Sequence, residues 1–227
     1  MATLYSPKIV TAGLVLCLDA GNNKSYPSSG TTWNDLSGNN NNGTLTNGPT
    51  FNSSFGGGIV FDGVDDYVSV SNTSILRPST ELSIGMWIKA NSITGGWVRL
   101  FGQDPYTGGP LIFLETGGSL IRALHYPNGA EIRCNTNYSI LITQYTYVVF
   151  TFKIGDAIRS YFNGIADTTV GLSSGTFSYN TSNPYLIGHS GASWFSGNIS
   201  NVLYYTKALS ASEVLQNYNA TKGRFGL

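Results

Sequence analysis

Twelve acidic side chains serve a chain of 227 residues, and three of them, Asp62, Asp65 and Asp66, fall within five positions of the stretch FDGVDDYVSV. Three carboxylates so close could hold a hard cation, share protons or shape a turn. An EF-hand loop opening at Asp62 needs glycine at its sixth position and a bidentate glutamate at its twelfth, where this chain has Tyr67 and Thr73. That option is closed. Asp62-Gly63 is turn chemistry, and Tyr67, Val68 and Val70 then read as a strand. A turn is the expected reading, with a looser cation site completed by distant loops as its alternative.

Cations are as scarce as acids, with Lys+Arg also 12. Arg99, Arg122, Arg133 and Arg159 lie inside the strand-like runs WVRLF, LIRAL, EIRCN and AIRSYF rather than in loops. A charge within a strand must leave the core, so each guanidinium is expected on the outer face of its sheet. If at least three share one face they form a patch, and the planar fork of arginine suits a carboxylate or phosphate on an acidic glycan or an acidic loop of a neighbouring subunit. The competing reading is four isolated arginines paired with Glu131, Asp156 or solvent. Aromatic rings could supply the other half of a sugar site, since they stack on the apolar faces of sugars. Trp97, Tyr106 and Trp194, together with Trp33, lie near Gly or Asn in rim-like segments, and core filling is the rival role for each.

Other chemistry finds less support. Cys17 and Cys134 sit in apolar or alternating runs without the close paired spacing of zinc ligands, and read as buried thiols. His125 and His189 belong to no nucleophile elbow and no His-x-x-x-His pair. No glycine-rich phosphate loop opens a helix.

The elements that must position these residues alternate with period two. ELSIGMWIKA places Leu82, Ile84, Met86 and Ile88 on one face and Ser83, Gly85, Trp87 and Lys89 on the other; YTYVVFTFKI repeats the pattern. Asn-Gly pairs at 42–43, 47–48, 128–129 and 163–164 separate such runs. The expected fold is all-β, a two-sheet antiparallel sandwich in a single domain over residues 1–227. One segment departs from it: Ser210 and Glu213 form an S-x-x-E capping box ahead of Val214, Leu215 and Tyr218, which predicts a short C-terminal helix over 210–220.

Charged residues make up 11% of the chain where about 25% is usual, so the surface is polar through Asn, Ser, Thr, Gly and Tyr. Such a surface lacks the basic field that nucleic acid or an anionic membrane requires, so neither is expected as a partner. The apolar run IVTAGLVLCLDAG lacks the flanks and cleavage site of a signal peptide and reads as a buried strand.

VLCLDAGN, W-x-DLSGN-x-NNGTL, GIVFDGVDDYVSV, ELSIGMWIKA, RSYFNG and FSGNISNVLYYTKALSASEV follow one another in an order that resembles laminin G-like, concanavalin A-like lectin/glucanase domains. The resemblance implies a jelly roll with one concave face and loop-lined rims, and it extends to versions of the domain found in virion structural proteins of tailed phages. It also implies that some members hold calcium on rim acids. The block G-x-I-D-x-V, where the family often carries an acid, has Ser200 at that place, so calcium, if bound, would rely on Asp19, Asp35 and backbone carbonyls near Gly38. No other cofactor is expected.

Glucanases of this fold are similar to one another in an E-x-D-x-x-E strand that sets two carboxylates at the separation a retaining mechanism needs. Glu81, Glu115, Glu131 and Glu213 are the chain's glutamates and none has that spacing, so no enzyme activity is expected. The resemblance therefore implies a non-enzymatic virion structural protein (a capsid decoration, fibre or tail-associated subunit) that contacts other virion proteins or its own copies and binds host-surface glycans. A stand-alone carbohydrate-binding lectin module of a cellular organism is the alternative, and a degenerate glycoside hydrolase the third reading.

Overall fold

The computed structural model describes residues 8–92, 96–104, 109–115, 120–127, 130–191 and 193–227. Its strands begin with β1 (Leu14–Asp19), β2 (Thr32–Trp33), β3 (Gly43–Thr46), β4 (Thr50–Asn52), β5 (Gly58–Asp62) and β6 (Tyr67–Val70). They continue with β7 (Glu81–Ala90), β8 (Trp97–Gln103), β9 (Leu111–Glu115), β10 (Leu120–His125), β11 (Ile132–Ser139) and β12 (Thr146–Lys153). The last are β13 (Ala157–Phe162), β14 (Ile165–Leu172), β15 (Tyr185–Ile187), β16 (His189–Ser190), β17 (Ser193–Trp194) and β18 (Ser196–Tyr205), followed by the helix α1 (Ala211–Thr221).

Two eight-stranded antiparallel sheets form the jelly-roll sandwich that the alternating pattern predicts. The first runs β14-β13-β12-β7-β18-β5-β4, with β1 also paired to β18. The second runs β11-β10-β9-β8-β15-β6-β3-β2. Between them Leu16, Trp33, Phe61, Met86, Leu100, Ile112, Phe150 and Tyr204 are fully buried. Trp33 therefore fills the core and not a rim. The hairpin joining β13 to β14 turns on Asn163 and Gly164, both at positive φ, the conformation a tight two-residue hairpin requires and Asn-Gly supplies.

The two outer faces differ. On the first sheet, Trp87, Tyr147, Tyr161, Leu203 and Tyr205 point away from the sandwich yet are buried, because α1 and Phe225 pack over them. The indole of Trp87 stacks on Phe225 at 4.1 Å and donates to the Thr221 hydroxyl at 2.8 Å. The helix starts as predicted: the Ser210 hydroxyl accepts from the Glu213 amide and the Glu213 carboxylate accepts from the Ser210 amide. Lys207 adds an ion pair to Glu213 at 2.6 Å, which holds that carboxyl below its usual range. Ser210→Ala should lower the unfolding free energy by about 1 kcal/mol in urea titrations, with the C-terminal segment opening first. On the second sheet, the outer face around β8, β9 and β10 carries arginines and aromatics that no helix among the described residues covers, and the candidate site is there.

Candidate functional site

Strand pairing brings the site together. Arg99 on β8 faces Phe113 on β9, which faces Arg122 on β10, which faces Asn135 on β11. These positions lie out of phase with Val98, Leu100, Ile112, Leu114, Ile121, Ala123 and Cys134, which fill the core. Arg133 opposite Leu124 shares the outer face. Leu111, Phe113 and Leu124, packed by Tyr126, make a small second apolar cluster there.

A cleft of about 210 Å³ opens over this cluster, lined by Trp97, Phe113, Arg122, Leu124, Tyr126 and Glu131. The Arg122 guanidinium sits 3.9 Å from the Trp97 ring centroid, and Trp97 meets Phe113 edge to face. Burial, and then the charge of Arg133, push the Arg122 pKa below the ordinary arginine value. Its acidic neighbour Glu115 stands 4.0 Å away, too far for a direct hydrogen bond. Glu131 accepts from the Tyr126 hydroxyl at 2.9 Å and pairs with Arg133 at 3.3 Å. The result is an indole one-third exposed, a cation stacked on it and a carboxylate across the cleft. Ring, fork and acceptor are what recognition of a sugar with an acidic group uses.

The other candidate residues are placed differently. Arg99 lies on the outer face, but its side chain has no exposure and bonds Asp104 at 2.5 Å, so it braces the site and offers no fork to a ligand. Arg159 belongs to β13 of the other sheet and grips Asp156 with two hydrogen bonds at 3.0 and 2.9 Å. The four arginines thus divide three to one between the sheets, with Arg122 and Arg133 accessible. Trp194 joins a separate cluster, its ring 4.0 Å from His189 and 6.2 Å from Tyr67. Tyr106 lies outside the described residues.

Asp19 and Asp35 are both engaged by protein donors. Asp19 is held by Arg224 through both oxygens, at 2.9 and 2.8 Å. Asp35 accepts from the amides of Cys17, Ser37 and Asn41 and from the Ser37 hydroxyl, organising the loop after β2. The acidic stretch that began at Asp62 folds as a turn: Asp62 accepts from the Val64 and Asp65 amides, and Asp66 accepts from the Asp62 amide. Its three carboxylates approach within 4.8 Å, and burial, reinforced by those like charges, raises the pKa of Asp66. Cys17 and Cys134 are free and buried, and burial with the nearby Asp19 and Asp35 charges pushes the Cys17 thiol up to about 12. Such a thiol is no nucleophile at neutral pH.

Phe113, Leu124 and Tyr126 complete a site whose arginines, Trp97 and Glu131 the sequence singles out, Glu131 as the partner it proves to be for Arg133. One signal was present: LIFLE is apolar without alternation, which says that both faces of β9 are covered.

This chain belongs to the concanavalin A-like lectin/glucanases superfamily, whose laminin G-type model matches residues 62–215. No curated protein matches it in sequence. Among solved structures it is similar to domain 4 of AbnA, a GH43 extracellular arabinanase from Geobacillus stearothermophilus, in complex with arabinotriose. That likeness has 19% identity and a TM-score of 0.67 over 91% of this chain and 98% of the other. It is also similar to the receptor binding domain of botulinum neurotoxin D, with 14% identity, TM-score 0.72 and coverage of 92% and 52%. The binding domain of botulinum neurotoxin DC in complex with SialylT matches at 16% identity and TM-score 0.70, over 93% and 52%. The chain spans about half the length of those neurotoxin domains, and at these identities the likeness is one of fold.

Proposed function

We propose that this chain is a non-enzymatic glycan-binding module whose site is the cleft on the outer face of β8, β9 and β10. The observation that carries the reading is Arg122 stacked at 3.9 Å on the one-third-exposed Trp97, a pre-positioned cation and ring on an open sheet face. Preorganisation of this kind lowers the entropy lost on binding. An acidic sugar fits the cleft better than a neutral one: Arg122 supplies the fork, with Arg133 adding positive charge on the same sheet face, Trp97 the stacking surface, and Glu131 accepts from hydroxyls. The glycan ligands named for two structural neighbours, arabinotriose and SialylT, support sugar recognition on this fold without locating it. No hydrolysis is expected, because none of the chain's glutamates has the E-x-D-x-x-E spacing of the glucanases and Glu131 at the site is engaged with Arg133 and Tyr126.

The test is calorimetric titration of sialylated and uronate-bearing oligosaccharides against their neutral counterparts. Trp97→Ala and Arg122→Ala, singly and together, should weaken acidic-glycan binding at least about tenfold while leaving the melting temperature nearly unchanged. Wild-type affinity in the double variant would overturn the reading. The virion setting, with this module repeated on a phage particle against its own copies or a shell protein, is supported by the sequence resemblance. Mass spectrometry of purified particles tests it, and detection only as a protein secreted by a cell would end it.

A further inference from the structure

A second cleft, of about 330 Å³, lies beyond the reach of α1 on the outer side of the first sheet, lined among others by Phe55, Lys89, Gln144, Tyr145 and Phe225. Phe55 is its unusual member. This aromatic side chain is 55% exposed and its backbone sits at φ 52, ψ 39, in the left-handed region that bulky residues rarely adopt. The loop is pinned there on purpose of its neighbours: Ser54 donates to Asn52, Gly57 donates to the Ser54 carbonyl, and Arg224 donates to the Gly56 carbonyl at 3.0 Å while holding Asp19. Gly21 lets that arginine pass, since a Cβ at Gly21 would lie 1.9 Å from its guanidinium.

What the pinned ring faces is a wall and a charge. Tyr145 stands 5.7 Å from Phe55, centroid to centroid, and Phe225 lies 4.6 Å behind Tyr145. The Lys89 ammonium lies 5.5 Å from the Phe55 ring and 5.8 Å from the Tyr145 ring, and among the described residues no carboxylate pairs with it. Asn198, the cross-strand neighbour of Lys89, is only 5% exposed, yet its side-chain oxygen has no hydrogen-bond partner among the described residues. A buried acceptor without a donor is destabilising, and so is an exposed aromatic in a strained conformation. Phe55 lines the cleft with Lys89, and Asn198 is the strand neighbour of that same cation.

We infer that the Phe55–Lys89–Tyr145 cleft is a second binding site, separate from the cleft at Arg122, for a sugar ring that carries a carboxylate. Phe55 stacks on the apolar face of the ring, Lys89 takes the carboxylate, and Gln144 meets hydroxyls. The two clefts lie on opposite outer faces of the sandwich, so a module using both would bridge two chains of an acidic polysaccharide and gain avidity without further contacts. This inference does not rest on the site proposed at Arg122.

The test uses the full chain carrying Arg122→Ala, which removes the first cleft, titrated with methyl glucuronide and, separately, methyl glucoside. Backbone amide shifts of Gln144 and Tyr145 are followed by NMR. The uronide should move these signals at least about tenfold more tightly than the glucoside, and Lys89→Gln should erase the difference. Phe55→Asn separates binding from structure, because asparagine accepts the left-handed conformation: it should abolish the shifts while the melting temperature stays level or rises. The inference is overturned if the uronide leaves Gln144 and Tyr145 unmoved, if Lys89→Gln binds as well as its parent, or if Phe55→Asn unfolds the loop without changing affinity.

Discussion

Trp87→Ala should lower the unfolding free energy by about 3–5 kcal/mol, the range for truncating a large aromatic in a packed interior. Trp87 has no exposure, although it stands on the side of β7 that faces away from the sandwich. Its indole is packed by Phe225 at 4.1 Å, Tyr147 at 5.2 Å and Tyr218 at 5.8 Å, and so joins the C-terminal segment to the sheet. Removing it leaves a cavity under α1 and strips the Thr221 hydroxyl of its indole donor. For a domain of ordinary stability, about 5–15 kcal/mol, that is a large share of the total. Urea titration measures it, and Trp87→Phe should recover most of the packing while still losing the hydrogen bond. A loss below about 1 kcal/mol in Trp87→Ala would show that α1 is not anchored through this ring.

The phase of β7 was legible in its sequence because alternation is a local property, and the core does take Leu82, Ile84, Met86 and Ile88. That Ser83, Gly85 and Trp87 are buried as well was not legible, because the covering residues come from α1 and Phe225, more than a hundred positions away. The capping box could be read for the same reason as the strands: Ser210 and Glu213 satisfy each other within one turn. The site divides along the same line. Arg99, Arg122 and Arg133 were placed on an outer face by strand phase, but phase says nothing of access, and Asp104 together with the burial of Arg99 decides that. That Asp19 pairs with Arg224, 205 residues on, was not legible either, because the contact is made only by the folded chain. Phe55 carried no signal at all, since a left-handed backbone is imposed by the loop and by Arg224 rather than chosen by phenylalanine.

Acidification between about pH 6.5 and 4 should destabilise the fold through His125. This residue ends β10 with its side chain inside the sandwich and fully buried. Its ring lies 5.2 Å from Phe177 and 6.4 Å from Phe152, edge to face, and its Nε2 lies 3.3 Å from the Ser173 hydroxyl. Burial pushes its pKa from 6.5 down to about 4. The unfolded chain therefore takes up a proton near pH 6.5 that the folded chain refuses until about 4, and the unfolded state gains as pH falls through that window. The slope approaches ~1.4 kcal/mol per pH unit and the whole loss is about 3 kcal/mol, complete below the folded value. Glu81 and Glu213 act lower: ion pairs with Lys153 and Lys207 hold them below 4.5, so their contribution is present above that value and lost as pH falls through their folded pKa. Asp66 acts in the opposite sense, its raised pKa favouring the folded state as pH falls toward 3.8. Urea titrations of wild type and His125→Gln at pH steps from about 7 to 5 isolate the histidine, because the carboxylates are common to both and cancel in the difference. The variant should be less stable than wild type near pH 7 and should lose stability less steeply on acidification. Parallel pH profiles would show that His125 is not the group that takes up the proton.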